Sequence, residues 1–257
     1  RIFITGMGVI SAIGNSVAEN HIALKAGACG IKKNLHLFAT KYASELPFGQ
    51  VQASTAFLQK KLNISQAGIT RTSMLALHAF NEAVANAGFS ATMISAGDTA
   101  LVGASTVGGM CLTDELYADA NKNEAGSEYT SSYDCASVFL YLQQCYGMHG
   151  IINTINTACS SSANAIMYGA LLIKNGFAKR AIVGGSDSLA KFTINGFHAL
   201  HILSNEKCTP FDEHRKGLNL GEAAAFLVLE KEEDAAEKKI YAELSGYCNA
   251  NDAYHPS

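Results

Sequence analysis

Six short runs of β-branched or apolar residues, at 1–5, 99–103, 151–157, 181–184, 224–230 and 240–245, alternate with segments whose apolar residues recur at helical spacing. Apolar runs without polar alternation are the pattern of strands buried on both faces. Strands and helices in alternation restrict the chain to an α/β protein, with a mixed, mostly parallel sheet and helices on both sides of it. One helix is expected from a cap at Asn15 or Ser16 through Lys25, with Gly27 as its stop. A second opens at Thr70 or Thr72 and sets Ala76, Leu77, Phe80, Val84 and Ala87 along one face before Gly88.

Composition narrows what such a fold can do. The chain has 257 residues, 48% of them hydrophobic and 16% charged, which suits a substantial core and excludes a disordered tail. A formal net charge of -3 and the absence of long Lys/Arg runs argue against nucleic acid and anionic membrane as partners. No apolar stretch approaches the roughly 20 residues that span a bilayer. The opening "RIFITGMGVIS" reads as a strand and lacks the layout of a signal peptide, so a cytoplasmic protein is expected. The seven Cys show no C-x-x-C spacing, and the default expectation for most of them is a buried, reduced thiol.

No repeat or Pro-rich linker divides the chain, so residues 1–257 are read as one domain, with 111–132 as a polar excursion from the sheet. Gly6 and Gly8 after the first strand could begin a dinucleotide-binding turn, but Ser11 stands where the third glycine belongs. His198 and His201, three residues apart, have no Cys or carboxylate to complete a metal site, and no metal or other cofactor is expected.

The stretch "INTINTACSSSANAIMYGALLIKNG", residues 152–176, concentrates the chemistry. After Cys159, apolar residues at Ala163, Ile166, Met167, Ala170 and Leu171 form a helical stripe, and Ser160 to Ser162 occupy its first turn. Cys159 therefore lies at or beside the N-cap, where unpaired N–H groups and the positive end of the macrodipole favour a thiolate. The same N–H groups can bind a developing oxyanion. On these residues alone, an inert Cys ahead of a capping Ser fits equally well.

Over nearly its whole length the chain resembles the elongating β-ketoacyl-acyl-carrier-protein synthases of the thiolase superfamily. The resemblance rests on "RIFITGMGVISAIGN", "HIALKAGACGI", "VGASTVGGM", "NTACSSSANAI" and, most specifically, "CTPFDEHRKGLNLGEAAAFLVLEK", which carries Pro210, Phe211, Asp212, Arg215 and Gly217 at the family's spacing. It implies the N-terminal half of a thiolase-like fold, an α-β-α-β-α stack whose central helix layer includes the helix after Cys159. It implies Cys159 as the nucleophile that accepts an acyl chain, Val107 toward the floor of the acyl pocket and Phe197 near the active site. Tyr129 falls where the family's partner subunit reaches in. Asp212 and Arg215 are expected to pin the loop after the signature as a structural ion pair.

The implied reaction is acyl transfer to Cys159 followed by decarboxylative condensation with malonyl-acyl-carrier protein, in fatty-acid or polyketide chain elongation. The implied partners are an acyl carrier protein and a second thiolase-like subunit, in a homodimer or heterodimer. Arg71 and Lys60 are candidate contacts for an acidic carrier, with solvated surface charge as the alternative. Two departures from the family pattern stand out. Ala223 occupies a usual Gly position, where a Cβ could strain a tight turn. The family's two histidine motifs are also absent, and His255 in "DAYH" is read as structural. The expectation is a chain incomplete for condensation, whose C-terminal half lies elsewhere. Two alternatives stay open: a non-catalytic subunit resembling a chain-length factor, and a Cys-His hydrolase.

Overall fold

The apolar runs become six strands of one sheet: β1 (Ile2–Ile10), β2 (Thr99–Ala104), β3 (Ile152–Ile155), β4 (Arg180–Asp187), β5 (Ala223–Lys231) and β6 (Ala242–Glu243). They lie in the order β3-β2-β4-β5-β1-β6 in this computed structural model, which describes residues 1–250 apart from 123, 125 and 128. β2 pairs parallel with β3 and β4, whereas β5 runs antiparallel to both β4 and β1, and β6 antiparallel to β1. The sheet is thus mixed, and β1 to β4 all point one way.

Helices α1 (Val17–Lys25), α2 (Thr55–Lys61), α3 (Arg71–Asn86) and α4 (Ala91–Ser95) separate β1 from β2. Between β2 and β3 come α5 (Thr113–Ala120), α6 (Thr130–Tyr133) and α7 (Ser137–Tyr146). α8 (Ser161–Lys174) follows β3, α9 (Lys191–Ala199) follows β4, and α10 (Glu232–Ala235) follows β5. Ser16 and Thr70 are the caps of α1 and α3, accepting the N–H groups of Glu19 at 3.2 Å and Ser73 at 3.0 Å. Each cap is worth about 0.5–2 kcal/mol.

Successive strand residues face opposite sides of a sheet, and both sides here are covered. Leu101, Ile182 and Val228 join Phe80 of α3 and Phe139 and Leu142 of α7 in one core layer. Their neighbours Val102, Val183 and Leu229 join Ala165, Ala170 and Ile173 of α8 in the other. That two-sided burial is why the strands read as unbroken apolar runs.

β1 continues past Thr5 because Gly6 and Gly8 serve packing. A Cβ on Gly8 would lie 2.0 Å from the Ala79 carbonyl oxygen, and one on Gly6 would lie 2.5 Å from that of Ala83. The backbone of α3 therefore rests on the backbone of β1, which no side chain at those positions would allow.

A third apolar cluster, Leu35, Tyr42, Leu46 and Phe48 with Leu189 and Ile194, anchors the segment after α1 against α9. The polar excursion is tied to the same helix by an exposed ion pair between Lys191 and Asp114. Among the described residues no helix is long and apolar enough to cross a membrane.

The cysteines depart from expectation. All seven are free; Cys29, Cys145, Cys159 and Cys248 are exposed, and Cys111, Cys135 and Cys208 only half-buried. The interior layers are filled by aliphatic and aromatic side chains, which leaves the thiols on loops and outer helix faces.

Candidate active site

Where β3 ends, the chain passes through one 3-10 turn, Ala158–Ser160, into α8. Ser160 is the N-cap of α8, so Cys159 sits immediately before it, exposed. Ala158 takes a φ of +52°, a left-handed conformation that costs a non-glycine residue roughly 1–2 kcal/mol. The surrounding hydroxyl groups hold that conformation. Ser161 Oγ donates to the Ala158 carbonyl at 2.6 Å and accepts the Thr157 N–H at 2.8 Å, while Ser160 Oγ donates to the Thr157 carbonyl at 2.9 Å. Asn156 Oδ1 accepts the Ala158 N–H at 3.3 Å. The serines read as a helix start therefore build the turn that presents the sulfur.

Cys159 lines a cleft of about 910 Å³. Its walls come from the ends of β2 (Ala104), β4 (Gly185 to Asp187) and β5 (Ala223 to Ala225), with Ser105, Thr106 and Met110 after β2, and Phe192 and Phe197 from α9. β2 and β4 present their carboxyl ends here, the common place for ligands in open α/β sheets, and antiparallel β5 presents its amino end. The cleft sets an exposed thiol beside a partly apolar lining, with room for a group carried on sulfur.

Phe197 is among the residues of this lining. Val107 is buried and not among the lining residues, its N–H donating to Asp187 Oδ1 at 2.8 Å. Tyr129 is set outside the cleft at the N-terminus of α6, half-buried, with its N–H donating to Ser127 Oγ at 3.2 Å.

The expected side-chain ion pair of Asp212 and Arg215 does not form. Arg215 Nη1 donates instead to the backbone carbonyl of Asp212 at 3.1 Å, and the Asp212 carboxylate accepts the His214 N–H at 2.7 Å. Both residues are exposed, and in water such a pair gains too little to displace a local turn. Phe211 beside them is fully exposed at a φ of +64°.

Ala223 carries no strain, because it opens β5 in extended pairing with Asp187. Arg71 is no surface contact either: it is buried and paired with Glu222, while Lys60 is exposed. His198 shares a hydrogen bond with the hydroxyl of Tyr42 at 3.2 Å, and among the described residues no group of three or more His, Cys, Asp or Glu could hold a metal. His255 lies outside the described residues.

Two acidic residues that the sequence reading passed over organise the site. Glu222 and Asp187 both line the cleft, and each collects several hydrogen bonds from distant segments. Only their positions at the end or start of strand patterns hinted at this.

Residues 1–235 match the family model described as "Beta-ketoacyl synthase, N-terminal domain". A putative mitochondrial 3-oxoacyl-[acyl-carrier-protein] synthase of Schizosaccharomyces pombe is 30% identical, the match covering 99% of this chain and 64% of that protein. A 3-oxoacyl-[acyl-carrier-protein] synthase 2 of Coxiella burnetii is 29% identical with the same coverages, 99% and 64%. Among solved structures, one described as the ishigamide ketosynthase/chain length factor superposes with a TM-score of 0.89 at 26% identity, covering 100% of this chain and 65% of that one. A β-ketoacyl synthase from Burkholderia phymatum gives 0.78 at 26% identity, with 93% and 62% covered. The chain spans a little under two thirds of the length of these relatives.

Proposed function

The chain belongs to the β-ketoacyl synthase family, matching its N-terminal domain over residues 1–235, and from that premise we propose that Cys159 accepts an acyl chain for decarboxylative condensation. Its α/β architecture is that of the thiolase-like ketosynthases. The observation that carries the reading is the exposed Cys159 on its strained turn, directly before α8 and within the cleft.

The Cys159 sulfur, as thiolate, attacks the carbonyl carbon of an acyl thioester on a carrier protein. A new C–S bond forms to Cys159 as the bond to the carrier's sulfur breaks, and the carrier thiol takes up the proton. In the second stage, malonyl-carrier protein loses carbon dioxide, and the resulting carbanion attacks the acyl carbonyl, releasing Cys159. Exchange between thioesters is nearly isoenergetic, so the acyl chain moves onto Cys159 at little cost, and the condensation then frees the thiol.

The second stage needs donors that polarise the malonyl carbonyl as charge builds on it. Among the described residues that line the cleft there is no histidine. On this reading those donors belong to the part of the synthases that the match leaves uncovered, since it spans 64% of the relatives' length. The names of the synthase relatives support an acyl carrier protein as donor. A structure described as a ketosynthase in complex with its chain length factor, 26% identical, supports a second thiolase-like subunit as partner.

Incubation of the full-length protein with an acyl-carrier-protein thioester, read by intact mass, tests the proposal. A stable mass gain of one acyl group, absent in Cys159→Ala, is the expected result. Release of free acid would indicate a hydrolase, and a folded protein left unmodified would indicate a non-catalytic subunit; either outcome overturns the reading.

A further inference from the structure

Asp187 ends β4 half-buried in the cleft wall. Its Oδ1 accepts three hydrogen bonds, from Ser105 Oγ at 2.9 Å and from the N–H groups of Thr106 and Val107, both at 2.8 Å. Its Oδ2 accepts a fourth, from Thr106 Oγ1 at 2.7 Å. Ser105 Oγ in turn accepts the Gly108 N–H at 3.0 Å, so residues 105–108 are gathered around one carboxylate. Among the described residues no Lys or Arg forms a salt bridge with Asp187. Its charge is met by hydrogen-bond donors from this one turn, which is the arrangement that fixes a backbone segment most firmly.

The other side of the turn is held as tightly. Gly108 has a φ of +51°, and the Gly109 N–H donates to the Tyr133 carbonyl at 3.1 Å. A Cβ on Gly109 would lie 2.0 Å from the Ser132 carbonyl oxygen, and one on Gly108 would lie 2.8 Å from the Cys135 backbone. The turn is therefore clamped between the end of β4 and residues 132–135. It contributes Ser105, Thr106 and, just beyond it, Met110 to the cavity that Cys159 shares. Each hydroxyl has a single proton, and those of Ser105 and Thr106 are both donated to Asp187, leaving neither for a substrate.

We propose that Asp187 is a positioning residue that sets the acyl-chain preference of Cys159 by holding the 105–108 turn as a fixed wall of the cleft. The proposal rests on the reading of Cys159 as the acyl-accepting thiol. Removing the carboxylate lets the wall shift and frees two hydroxyl donors into the space an acyl chain occupies. The effect falls on discrimination between chains, because the turn borders the cavity and does not touch the sulfur's own turn through any of these bonds.

The test measures the rate at which Cys159 of the full-length protein is loaded by butanoyl, octanoyl and dodecanoyl thioesters of N-acetylcysteamine, followed by intact mass. In Asp187→Ala the ratio between the best and worst chain shrinks by about tenfold or more, the scale on which small displacements near reacting atoms act. Thr106→Val, which removes only the bond to Oδ2, shifts the ratio in the same direction by less. Asp187→Asn restores most of the wild-type ratio, since its amide oxygen keeps three acceptor bonds and its NH2 donates to Thr106 Oγ1, which frees only that one hydroxyl proton. If Asp187→Ala does not fold, the contrast between Thr106→Val and Asp187→Asn carries the same decision. Variants that lose rate or thermal stability while keeping the wild-type ratio overturn the proposal. A wild-type protein that no thioester loads overturns the reading of Cys159 itself, and the proposal with it.

Discussion

Arg71 and Glu222 meet as a bidentate pair withdrawn from solvent, Nε to Oε2 at 2.9 Å and Nη2 to Oε1 at 2.7 Å, with side chains 7% and 0% exposed. Glu222 also accepts the N–H groups of Val51 at 3.0 Å and Leu189 at 3.2 Å, and Arg71 donates to the Ala53 carbonyl at 3.0 Å. One pair thus joins the start of α3, the 51–53 segment, the approach to α9 and the strand that forms a cleft wall. Removing one partner strands the other's charge in the interior. Arg71→Met is expected to destabilise the fold by about 3–5 kcal/mol, seen as a lower urea midpoint. Glu222→Gln is expected to cost a similar amount, because each carboxylate oxygen accepts one backbone N–H and one Arg71 N–H, and the NH2 group that replaces one of them faces two donors; a loss below about 1 kcal/mol in either variant would count against this account.

The turn under Cys159 makes a second prediction. At a φ of +52° Ala158 pays a left-handed cost that glycine avoids, while glycine pays more backbone entropy. The two nearly cancel, so Ala158→Gly keeps acyl loading and shifts stability by no more than about 0.5 kcal/mol. Ala158→Val, β-branched, is expected to lose about 1–3 kcal/mol and most of its loading. Thermal melts alongside intact-mass loading check both, and a Val variant that loads normally would contradict the turn's role.

Cys135 lies in the segment that clamps the 105–108 turn, its sulfur 3.7 Å from Asn156 Nδ2. Burial chiefly, and then the charges of Asp187 and Asp134, push its thiol up from the ordinary range. With limiting iodoacetamide near neutral pH, peptide mapping should find exposed Cys159 alkylated well before Cys135. Asp187→Asn should bring Cys135 labelling forward, since it removes one of the charges. Unchanged Cys135 labelling in that variant would remove Asp187 from the explanation.

His78 gives the stability a pH dependence of known sign. It is buried in α3 with Nε2 2.8 Å from the Asn15 carbonyl oxygen, and burial outweighs that bond to lower its pKa from 6.5. Between the lowered folded value and the unfolded value the unfolded chain binds more protons, so stability rises with pH there. The contribution is complete above 6.5 and is lost as pH falls through it toward the folded value. Urea midpoints at about pH 5 and about pH 8 should differ less in His78→Gln, which keeps an N–H donor for Asn15. An identical slope in that variant would assign the dependence to other groups.

What could be read from the chain itself follows the range of the forces involved. The caps at Ser16 and Thr70, the strands and the existence of a helix after Cys159 are set by neighbours a few residues apart, and they appear where the pattern places them. The buried face of that helix, however, runs through Ala165, Gly169, Ala170, Leu172 and Ile173, leaving Ala163 of the expected stripe exposed and Ile166, Met167 and Leu171 half-buried. Gly6 and Gly8 read locally as a possible turn, and only the approach of α3 explains why β1 runs straight through them. Asp187 draws its partners from residues 105–107, and Glu222 from residues 51, 71 and 189, all remote in sequence. The sign of φ at Ala158 depends on hydroxyl groups placed by the following helix, which no local propensity encodes.

The cleft's walls descend from β2, β4 and β5, which are immediate neighbours laced by one continuous ladder. This part of the frame is stiff, because each strand is held by its neighbour along its length. A guest lying against it must suit contours already set when the chain folded, so these three strands exercise choosiness by turning misfits away, not by embracing the right molecule.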